Sequence, residues 1–458
     1  MNRPLRVAVV GAGPAGLYAA GHLLEGPGGT YIDGRLQTLT NRPVEVDVLD
    51  RLPTQWGLLR HGVAPDHPEK KLVQTVFEHI SARRGFRFFG NIEVGKHVSV
   101  QELMHWYDAV IFAHGSEGDP TMGIPGETLQ GCHAARRFVA WYNGHPDFRD
   151  LDIDLAHERA VIVGNGNVAM DVARILTTPV EHLAVTDIAD HALTVLRASK
   201  IREVLILGRR GRRHGAFNNP ELEELGQLAD LGIEVVGDDD TSSPDGLDLA
   251  TSRKLATLRE YSERSTGEHS KRIVLRFLTS PLEVVGESRV QGIRVARNRM
   301  VSNADGKVHI ETSVDGELID AGLILSAIGF SGVALAGLPF DEMARVVPND
   351  AGRVAGMPGA YVTGWIKRGP RGIIGTNKKC ARDTVRSLLQ DADDGLLASA
   401  GTLDGPSVEQ LLRERVATLV DNDAWRRLDS LERQAGRSTH RPRVKLSWDD
   451  RRLLELRG

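Results

Sequence analysis

A glycine-rich turn between a predicted strand and a predicted helix is the first feature of this chain with a chemical use. The apolar residues 7–10 predict the strand, Gly11, Gly13 and Gly16 follow it, and a helical pattern comes next. In such a turn the first glycine permits the tight bend, the second lets the backbone approach a pyrophosphate, and the third keeps helix and strand close. The helix start then offers free N–H groups and a positive dipole end to the phosphates. The turn predicts a bound dinucleotide, with a purely structural packing turn as the alternative.

A second turn of the same kind follows the predicted strand at residues 160–163. It comprises Gly164, Asn165, Gly166, Asn167 and Val168. One glycine-rich match is weak evidence, but two in the same strand-to-helix context predict that one chain binds two dinucleotides. Two redox dinucleotides in one protein indicate electron transfer between them.

The residue that ends the next strand of each unit indicates which nucleotide binds there. Asp50 ends the strand pattern of the first unit, where an acidic side chain accepts a hydrogen bond from the ribose, usually ~20 residues after the turn. The interval is longer here, so this assignment requires residues 26–43, rich in Gly, Thr and Pro, to be an inserted surface loop. In the second unit Arg209 and Arg210 hold the corresponding place, and guanidinium groups suit the 2′-phosphate of NADP. The alternatives are a solvated carboxylate and a solvated basic loop.

These assignments predict FAD in the first unit and NADP(H) in the second, because two nicotinamides cannot usefully exchange electrons. We expect hydride to move from NADPH to flavin N5, followed by single-electron steps to an acceptor.

Bulk properties restrict the class of protein. The chain has 458 residues, 41% hydrophobic and 26% charged, which predicts two or three globular domains. A net charge of -4 gives no general attraction to nucleic acid or to an anionic membrane. Cys132 and Cys380 are the only cysteines, so neither a Cys-x-x-Cys redox pair nor a cysteine-ligated metal centre is encoded. No apolar run reaches the ~18 residues of a membrane span, and a cytoplasmic protein without metal is expected.

Periodicity predicts the remaining organisation. The polar residues 116–122 and the glycine-rich residues 328–332 are interpreted as the two crossings between domains. Other predicted elements are a long helix at 69–84, strands at 87–89, 107–113, 203–207, 233–236 and 272–278, a charged helical region from 401, and a surface tail at 441–445.

Several segments together resemble one family, the ferredoxin-NADP reductases of the adrenodoxin reductase type, and most of all its actinobacterial branch. They are residues 57–68 (GLLRHGVAPDHP), 164–171, 208–211 (GRRG), 276–281, 364–370 (GWIKRGP) and 376–379. The resemblance covers nearly the whole chain, and the segment around Asp66 and His67 is far more specific than a glycine-rich turn.

The resemblance implies an α/β fold of two Rossmann-like dinucleotide-binding domains, with the NADP domain inserted into a discontinuous FAD domain. The implied limits are 1–116 and 331–458 for the FAD domain, the latter with a C-terminal helical tail, and 117–330 for the NADP domain. The implied activity is electron transfer between NADPH and a small acidic iron-sulfur ferredoxin, with no nucleic-acid or membrane partner.

The resemblance also implies site residues. Flavin contacts are expected at Gly11, Gly13, Ala15, Gly16, Asp50, Leu58, Val94, Trp365, Gly372, Ile373 and Ile374. NADP contacts are expected at Asn165, Gly166, Asn167, Val168, Arg209, Arg210, Glu221 and Gly372. His67 and Glu224 match the pair that assists proton or electron transfer, although His67 could instead only fix the turn around it.

The chain departs from the family pattern near both nucleotides. Pro120 stands where relatives usually have an arginine that contacts NADP, and Arg371 stands where they usually have threonine beside the flavin. Asp50 replaces a more usual glutamate. These departures predict altered contacts to NADP and altered access of the nicotinamide.

Ferredoxin docking is expected on a basic patch, because ferredoxins are acidic. The candidate residues are Arg253, Lys254, Arg259, Lys271 and Arg272. Four other functions remain open at this point: an NADPH-dependent flavin oxidoreductase with another acceptor, a redox-sensing FAD/NADP-binding module without turnover, a flavoprotein monooxygenase, and a flavin-dependent disulfide reductase. The missing Cys-x-x-Cys disfavours the last of these.

Overall fold

The computed structural model describes residues 3–25, 30–32, 35–37, 42–228, 230–237, 247–264, 269–302, 308–397 and 403–455. Its strands are β1 (Leu5–Val10), β2 (Thr30–Ile32), β3 (Arg35–Gln37), β4 (Val44–Leu49), β5 (Phe86–Gly90), β6 (Ala109–Phe112), β7 (Cys132–Ala134), β8 (Arg159–Val163), β9 (Glu203–Leu207), β10 (Leu231–Val236), β11 (Lys271–Arg276), β12 (Thr279–Gly286), β13 (Val290–Ser302), β14 (Val308–Asp320), β15 (Leu323–Ser326), β16 (Asn349–Asp350), β17 (Arg353–Val354), β18 (Ala360–Val362) and β19 (Val420–Asp421).

The helices alternate with these strands along most of the chain. They are α1 (Pro14–Leu23), α2 (Leu58–His61), α3 (Pro68–Lys71), α4 (Gln74–Ser81), α5 (Val100–Trp106), α6 (Ala135–Tyr142), α7 (Asn167–Thr177), α8 (Val180–Leu183), α9 (Asp190–Arg197), α10 (Asn219–Leu225), α11 (Leu249–Glu263), α12 (Trp365–Arg368), α13 (Ile374–Asp393), α14 (Gly405–Arg415), α15 (Asn422–Ser438) and α16 (Asp450–Glu455). Within the described residues, none of these helices is both long enough and apolar enough to cross a membrane.

The first sheet combines strands from both ends of the chain. Its order is β16-β17-β18-β6-β1-β4-β5-β19, and β1 pairs in parallel with β4 and β6. All six residues of β1 are buried, as expected for a central parallel strand with both faces covered. Helices α1, α4, α13 and α15 contribute to the apolar core on one face, and α5 and α14 contribute to the core on the other.

The second sheet is formed by the middle of the chain. Its order is β10-β11-β9-β8-β15-β7, and every pairing is parallel. Helices α6, α7, α9, α10 and α11 cover one face, while the antiparallel sheet β12-β13-β14 packs its apolar side chains against the other. The two chain crossings lie side by side, because Gly118 and Ser331 exchange backbone hydrogen bonds of 2.9 and 3.0 Å. This topology confirms the predicted α/β fold with one Rossmann-like unit inserted into another.

Three local predictions were wrong. The helix expected at 69–84 is divided into α3 and α4, because the N–H groups of residues 72, 75 and 76 donate to carbonyls three residues back and tighten the chain. The strand expected at 272–278 ends at Arg276, since Leu278 adopts a φ of 50° before β12 begins. The strand expected at 107–113 is restricted to β6, because Tyr107 still caps α5.

The predicted loop at 26–43 contains a two-stranded antiparallel ribbon, β2 and β3. Residues 26–29, 33–34 and 38–41 of that loop lie outside the described residues.

We call residues 441–448 the C-terminal strap, and the prediction of a surface tail at 441–445 was wrong. The Lys445 side chain is buried and donates hydrogen bonds to the backbone oxygen of Arg60 at 3.1 Å and to Asn143 Oδ1 at 2.9 Å. Arg441, also buried, donates to the backbone oxygen of Thr186 at 2.8 Å. Alternating cations predict a solvated segment, but a cationic side chain can be buried where hydrogen-bond acceptors surround it. Here both units supply such acceptors. The strap therefore joins the two units.

Candidate active site

The first glycine-rich turn joins β1 to α1 at the centre of the first sheet. Gly11 has a φ of 109°, and a Cβ there would lie 2.6 Å from the backbone oxygen of Ala113. A Cβ on Gly16 would lie 1.9 Å from the backbone oxygen of Gly11, so this glycine permits the close contact of helix and strand. Gly13 is the N-cap residue of α1, and the atom nearest to a Cβ at this position would be Gly57 Cα at 4.0 Å. The backbone of the turn is therefore open at its middle glycine.

Asp50 lies beside this turn, directly after β4. The Gly11 N–H donates to the backbone oxygen of Leu49 at 2.7 Å, which aligns the two strand ends. Asp50 accepts hydrogen bonds from the backbone N–H groups of Ala12 at 2.7 Å and Leu52 at 2.8 Å. Burial raises the pKa of Asp50 to about 6, although these two N–H groups oppose the shift. The long interval in the sequence does not prevent Asp50 from reaching the turn.

The second turn repeats the geometry of the first. Gly164 has a φ of 108°, and a Cβ there would lie 2.4 Å from the backbone oxygen of Ala327. Gly166 caps α7, and a Cβ there would meet nothing within 4 Å. Asn167 Oδ1 accepts a hydrogen bond from the backbone N–H of Asn218 at 2.8 Å, which fixes the neighbouring loop. Val168 is half-buried behind Asn167.

Arg209 and Arg210 occupy the place in the second unit that Asp50 occupies in the first. The Gly164 N–H donates to the backbone oxygen of Leu207 at 2.9 Å, just as Gly11 donates to Leu49. Both arginines follow β9 closely, and both are exposed. Among the described residues, no side chain pairs with their guanidinium groups, so both cations are available to a ligand beside the second turn.

A late loop lies against the first turn. A Cβ on Gly364 would lie 2.6 Å from Ala15 Cβ, and Trp365 follows at the start of α12. The Trp365 ring packs against Phe330 with centroids 5.2 Å apart, and its buried Nε1 has no hydrogen-bond partner in the described part of the chain.

Gly372 then adopts a φ of 84° before α13, which packs along α1. Ile373 is 67% exposed where α13 begins at Ile374. Leu58 is 38% exposed at the start of α2, whereas Val94 is 8% exposed and belongs to the apolar core beside Ile366. Arg371 is exposed next to Gly372.

His67 and Glu224 come together across the boundary of the two units. His67 Nε2 lies 3.0 Å from Glu224 Oε2 and 4.0 Å from Asp171 Oδ1. Glu69 approaches the other ring nitrogen, with its Oε1 3.7 Å from His67 Nδ1. The His67 side chain is only 5% exposed, while that of Glu224 is 28% exposed. The sequence predicted this pair, and the structure brings it together.

Glu221 and Pro120 are two further residues that the sequence singled out. Glu221 Oε1 accepts from Lys70 Nζ at 3.4 Å, which adds another contact between the units. Pro120 is half-buried beside Asp119, whose carboxylate pairs with Arg136 and Arg137.

The predicted basic patch is divided and largely neutralised. Arg253 pairs with Glu223 on the α11 side, and Arg272 pairs with Glu203 at the start of β11. Lys254 and Lys271 donate to backbone carbonyls, so they are partly withdrawn from solvent. Arg259 is exposed, and no other described residue pairs with it. The five residues do not form one continuous cationic face.

The residues at both turns fit a dinucleotide. Gly13 and Gly166 leave open backbone at the starts of two helices, which is the arrangement that a pyrophosphate requires. A carboxylate beside the first turn and two free guanidinium groups beside the second suit a ribose hydroxyl and a 2′-phosphate, respectively.

Comparisons with known proteins identify the family. Residues 5–208 match the family described as pyridine nucleotide-disulphide oxidoreductase. NADPH-ferredoxin reductase FprA of Mycobacterium tuberculosis is 44% identical over 457 residues, with 97% of each chain covered. The chain belongs to the NADPH-ferredoxin reductase family. The mitochondrial NADPH:adrenodoxin oxidoreductase of Arabidopsis thaliana is 38% identical, covering 98% of this chain and 95% of the relative. The structure of Mycobacterium tuberculosis FprA in complex with NADPH matches with a TM-score of 0.91, 43% identity and 99% of both chains covered.

Membership of this family confirms the resemblance drawn from the sequence motifs. These motifs contain residues of the candidate site. Residues 57–68 carry His67, and residues 208–211 carry Arg209 and Arg210. Sequence reasoning missed Arg174, which contacts Asp66, Asp171 and Glu224 beside the His67 pair. The spacing of Asp171 and Arg174 within one helical turn after the second glycine-rich turn was the available signal.

Proposed function

We propose that this chain is an NADPH-ferredoxin reductase that moves electrons between NADPH and ferredoxin through bound FAD. The proposal depends on one observation. The two glycine-rich turns have the same geometry, but the strand ends beside them carry opposite charges. Asp50 lies beside the first turn, and Arg209 and Arg210 lie beside the second. A carboxylate discriminates against a 2′-phosphate, whereas paired arginines bind it. The two sites therefore suit two different dinucleotides. The names of the 38–44% identical relatives support ferredoxin as the acceptor.

The first unit would hold FAD. Gly11, Gly13 and Gly16 would admit its pyrophosphate, and Asp50 would accept a hydrogen bond from its ribose. Ala15, Leu58, Val94, Trp365 and residues 372–374 would contact the rest of the molecule. When bound, FAD supplies a carrier that accepts two electrons together and passes them on singly.

The second unit would hold NADP(H). Gly166, Asn165, Asn167 and Val168 would contact the pyrophosphate from the start of α7, while Arg209 and Arg210 would bind the 2′-phosphate. Glu221 would stay close to the nicotinamide end, because Lys70 ties it to the first unit.

His67 and Glu224 would hold a proton at the junction. His67 Nε2 lies 3.0 Å from Glu224 Oε2, so a proton can be shared between the imidazole and this carboxylate. Burial of His67 in the junction excludes most water from this nitrogen.

Domain limits and cellular location are part of the proposal. We assign residues 1–116 and 331–458 to the FAD domain and 117–330 to the NADP domain, and the paired crossings at Gly118 and Ser331 support these limits. The cytoplasmic location stays a prediction that fractionation of expressing cells would test.

Turnover with electron acceptors tests the proposal. The purified holoenzyme should reduce a dye with NADPH much faster than with NADH, and should reduce cytochrome c with NADPH only when ferredoxin is added. Dye reduction without ferredoxin-dependent cytochrome c reduction would favour a flavin oxidoreductase with another acceptor. Binding of NADPH without any dye reduction would favour the redox-sensing module. An oxygenated product formed with NADPH oxidation would favour a monooxygenase.

A further inference from the structure

Among the described residues, Arg174 is the cation with the most side-chain hydrogen bonds at the junction of the two units. It lies on α7, and its side chain is only 4% exposed. Its Nε and Nη2 donate to the two carboxylate oxygens of Asp66 at 2.6 and 3.1 Å. Its Nη2 also donates to Asp171 Oδ1 at 2.8 Å, and its Nη1 donates to Glu224 Oε2 at 3.3 Å. One guanidinium group therefore binds three carboxylates.

These contacts cross the boundary at the His67 pair. Asp66 precedes His67 in the first unit, whereas Asp171, Arg174 and Glu224 belong to the inserted unit. Glu224 Oε2, which receives the Arg174 bond, is also the oxygen that lies 3.0 Å from His67 Nε2. A planar fork of five N–H donors can satisfy this arrangement, but a lysine ammonium cannot reproduce its fixed geometry.

Arg174 also balances the charge around His67. The carboxylates within 4.0 Å of the His67 ring are those of Glu69 from its own segment, Asp171 from α7 and Glu224 from α10. Arg174 pairs with Asp171 and Glu224 and with Asp66, the neighbour of His67 in the chain. Burial raises the pKa of Asp171 above its ordinary value, while the charges of Arg174 and Lys70 oppose this shift. The phenol of Tyr142 is buried close to Asp171 and Asp66. Without Arg174, several carboxylates would face His67 with little compensation.

We propose that Arg174 is a positioning residue for electron transfer from NADPH, because its fork on Asp66 holds Glu224 against His67 across the domain boundary. The inference rests on the proposed function and adds a residue to it. Arg174 is buried beneath the junction, while the side chains of Asp66, Asp171 and Glu224 are 19%, 21% and 28% exposed. Arg174 therefore acts through these carboxylates and does not itself face a substrate.

Single-turnover reduction of the holoenzyme by NADPH tests the proposal across a pH series. Arg174→Met should slow flavin reduction at least about tenfold, since loss of the fork misplaces groups at the junction. Its rate profile should move to higher pH, because loss of a buried cation favours the protonated forms of the ionisable groups at the junction. The Kd of NADPH should change little, as the 2′-phosphate is held elsewhere. Arg174→Lys should keep the wild-type pH position while recovering only part of the rate, and Asp66→Asn should slow reduction in the same direction.

Arg353→Gln is the matched control, because Arg353 makes a forked pair with Asp391 in the first sheet, away from the junction. It should leave the rate and its pH profile unchanged. Wild-type rates and pH profiles in Arg174→Met and Asp66→Asn would overturn the proposal. If Arg174→Met does not yield holoenzyme, Arg174→Lys and Asp66→Asn decide in the same way. Failure of the wild-type protein to be reduced by NADPH would instead refute the proposed function.

Discussion

Replacing both Arg209 and Arg210 with glutamine should raise the KM for NADPH by about 100-fold or more, since each hydrogen bond to a charged group contributes about 1.5–3 kcal/mol. Both guanidinium groups are exposed beside the second turn, and the substitution breaks no internal ion pair among the described residues. The KM for NADH should stay within about threefold, because NADH has no 2′-phosphate for these arginines to bind. Steady-state dye reduction with each nucleotide measures both values.

Arg259→Gln is the control for the loss of positive charge. This exposed arginine lies on α11 and pairs with no side chain in the described ranges, so its replacement should not alter the nucleotide preference. An unchanged preference in the double variant would contradict the 2′-phosphate assignment. An equal loss with NADPH and NADH would do so as well, because it would indicate general damage to the site.

Glu432→Gln should lower the free energy of unfolding by about 3–5 kcal/mol, which is the usual cost of removing one partner from a buried ion pair. Glu432 is fully buried and accepts hydrogen bonds from Arg60 Nη2 at 2.6 Å, the Leu446 N–H at 3.0 Å and Trp448 Nε1 at 3.1 Å. Glutamine has nearly the same volume as glutamate, so the decrease in the free energy of unfolding would result from the missing charge and not from a cavity. Urea unfolding of the holoenzyme, followed by tryptophan fluorescence, measures it.

The pH dependence of this difference has a defined sign. Burial alone would raise the pKa of Glu432, but Arg60, Arg443 and the Trp448 indole together hold it below its ordinary value of 4.5. Stability from a carboxylate with a lowered pKa is present above its unfolded-state value and is lost as the pH falls through its folded-state value. The gap between wild type and Glu432→Gln should therefore be complete at pH 7 and should shrink below pH 4.5.

Glu317→Gln is the matched control for this prediction. Glu317 pairs with Arg276, but its side chain is 57% exposed, so its loss should cost less than about 1 kcal/mol. Equal stabilities of Glu432→Gln and Glu317→Gln would contradict the account of Glu432 as a buried anchor that holds the C-terminal strap on the first unit.

Local patterns predicted the two turns and their strands well. Gly11 and Gly164 both adopt a positive φ, and a buried strand precedes each of them. The sequence pattern that predicts each turn is therefore contained in a few neighbouring residues. The equivalence of Asp50 and Arg209 could not be read from spacing, because residues 26–43 lengthen one interval. It becomes clear from the matching hydrogen bonds of Gly11 to Leu49 and of Gly164 to Leu207.

Contacts between distant segments were not predictable in this way. Arg174 looks like an ordinary helix-surface arginine until Asp66 and Glu224, far from it in the chain, are brought together around it. Lys445 likewise looks solvated, because its acceptors are the backbone of Arg60 and the side chain of Asn143. Burial of a charge depends on partners that a linear pattern does not reveal.

The anaerobic visible spectrum of the holoenzyme tests the central claim most directly. The flavin absorption bands should bleach when NADPH is added and should recover when oxidised ferredoxin follows. Bands that stay unchanged with NADPH, or that bleach and then fail to recover with ferredoxin, would contradict it.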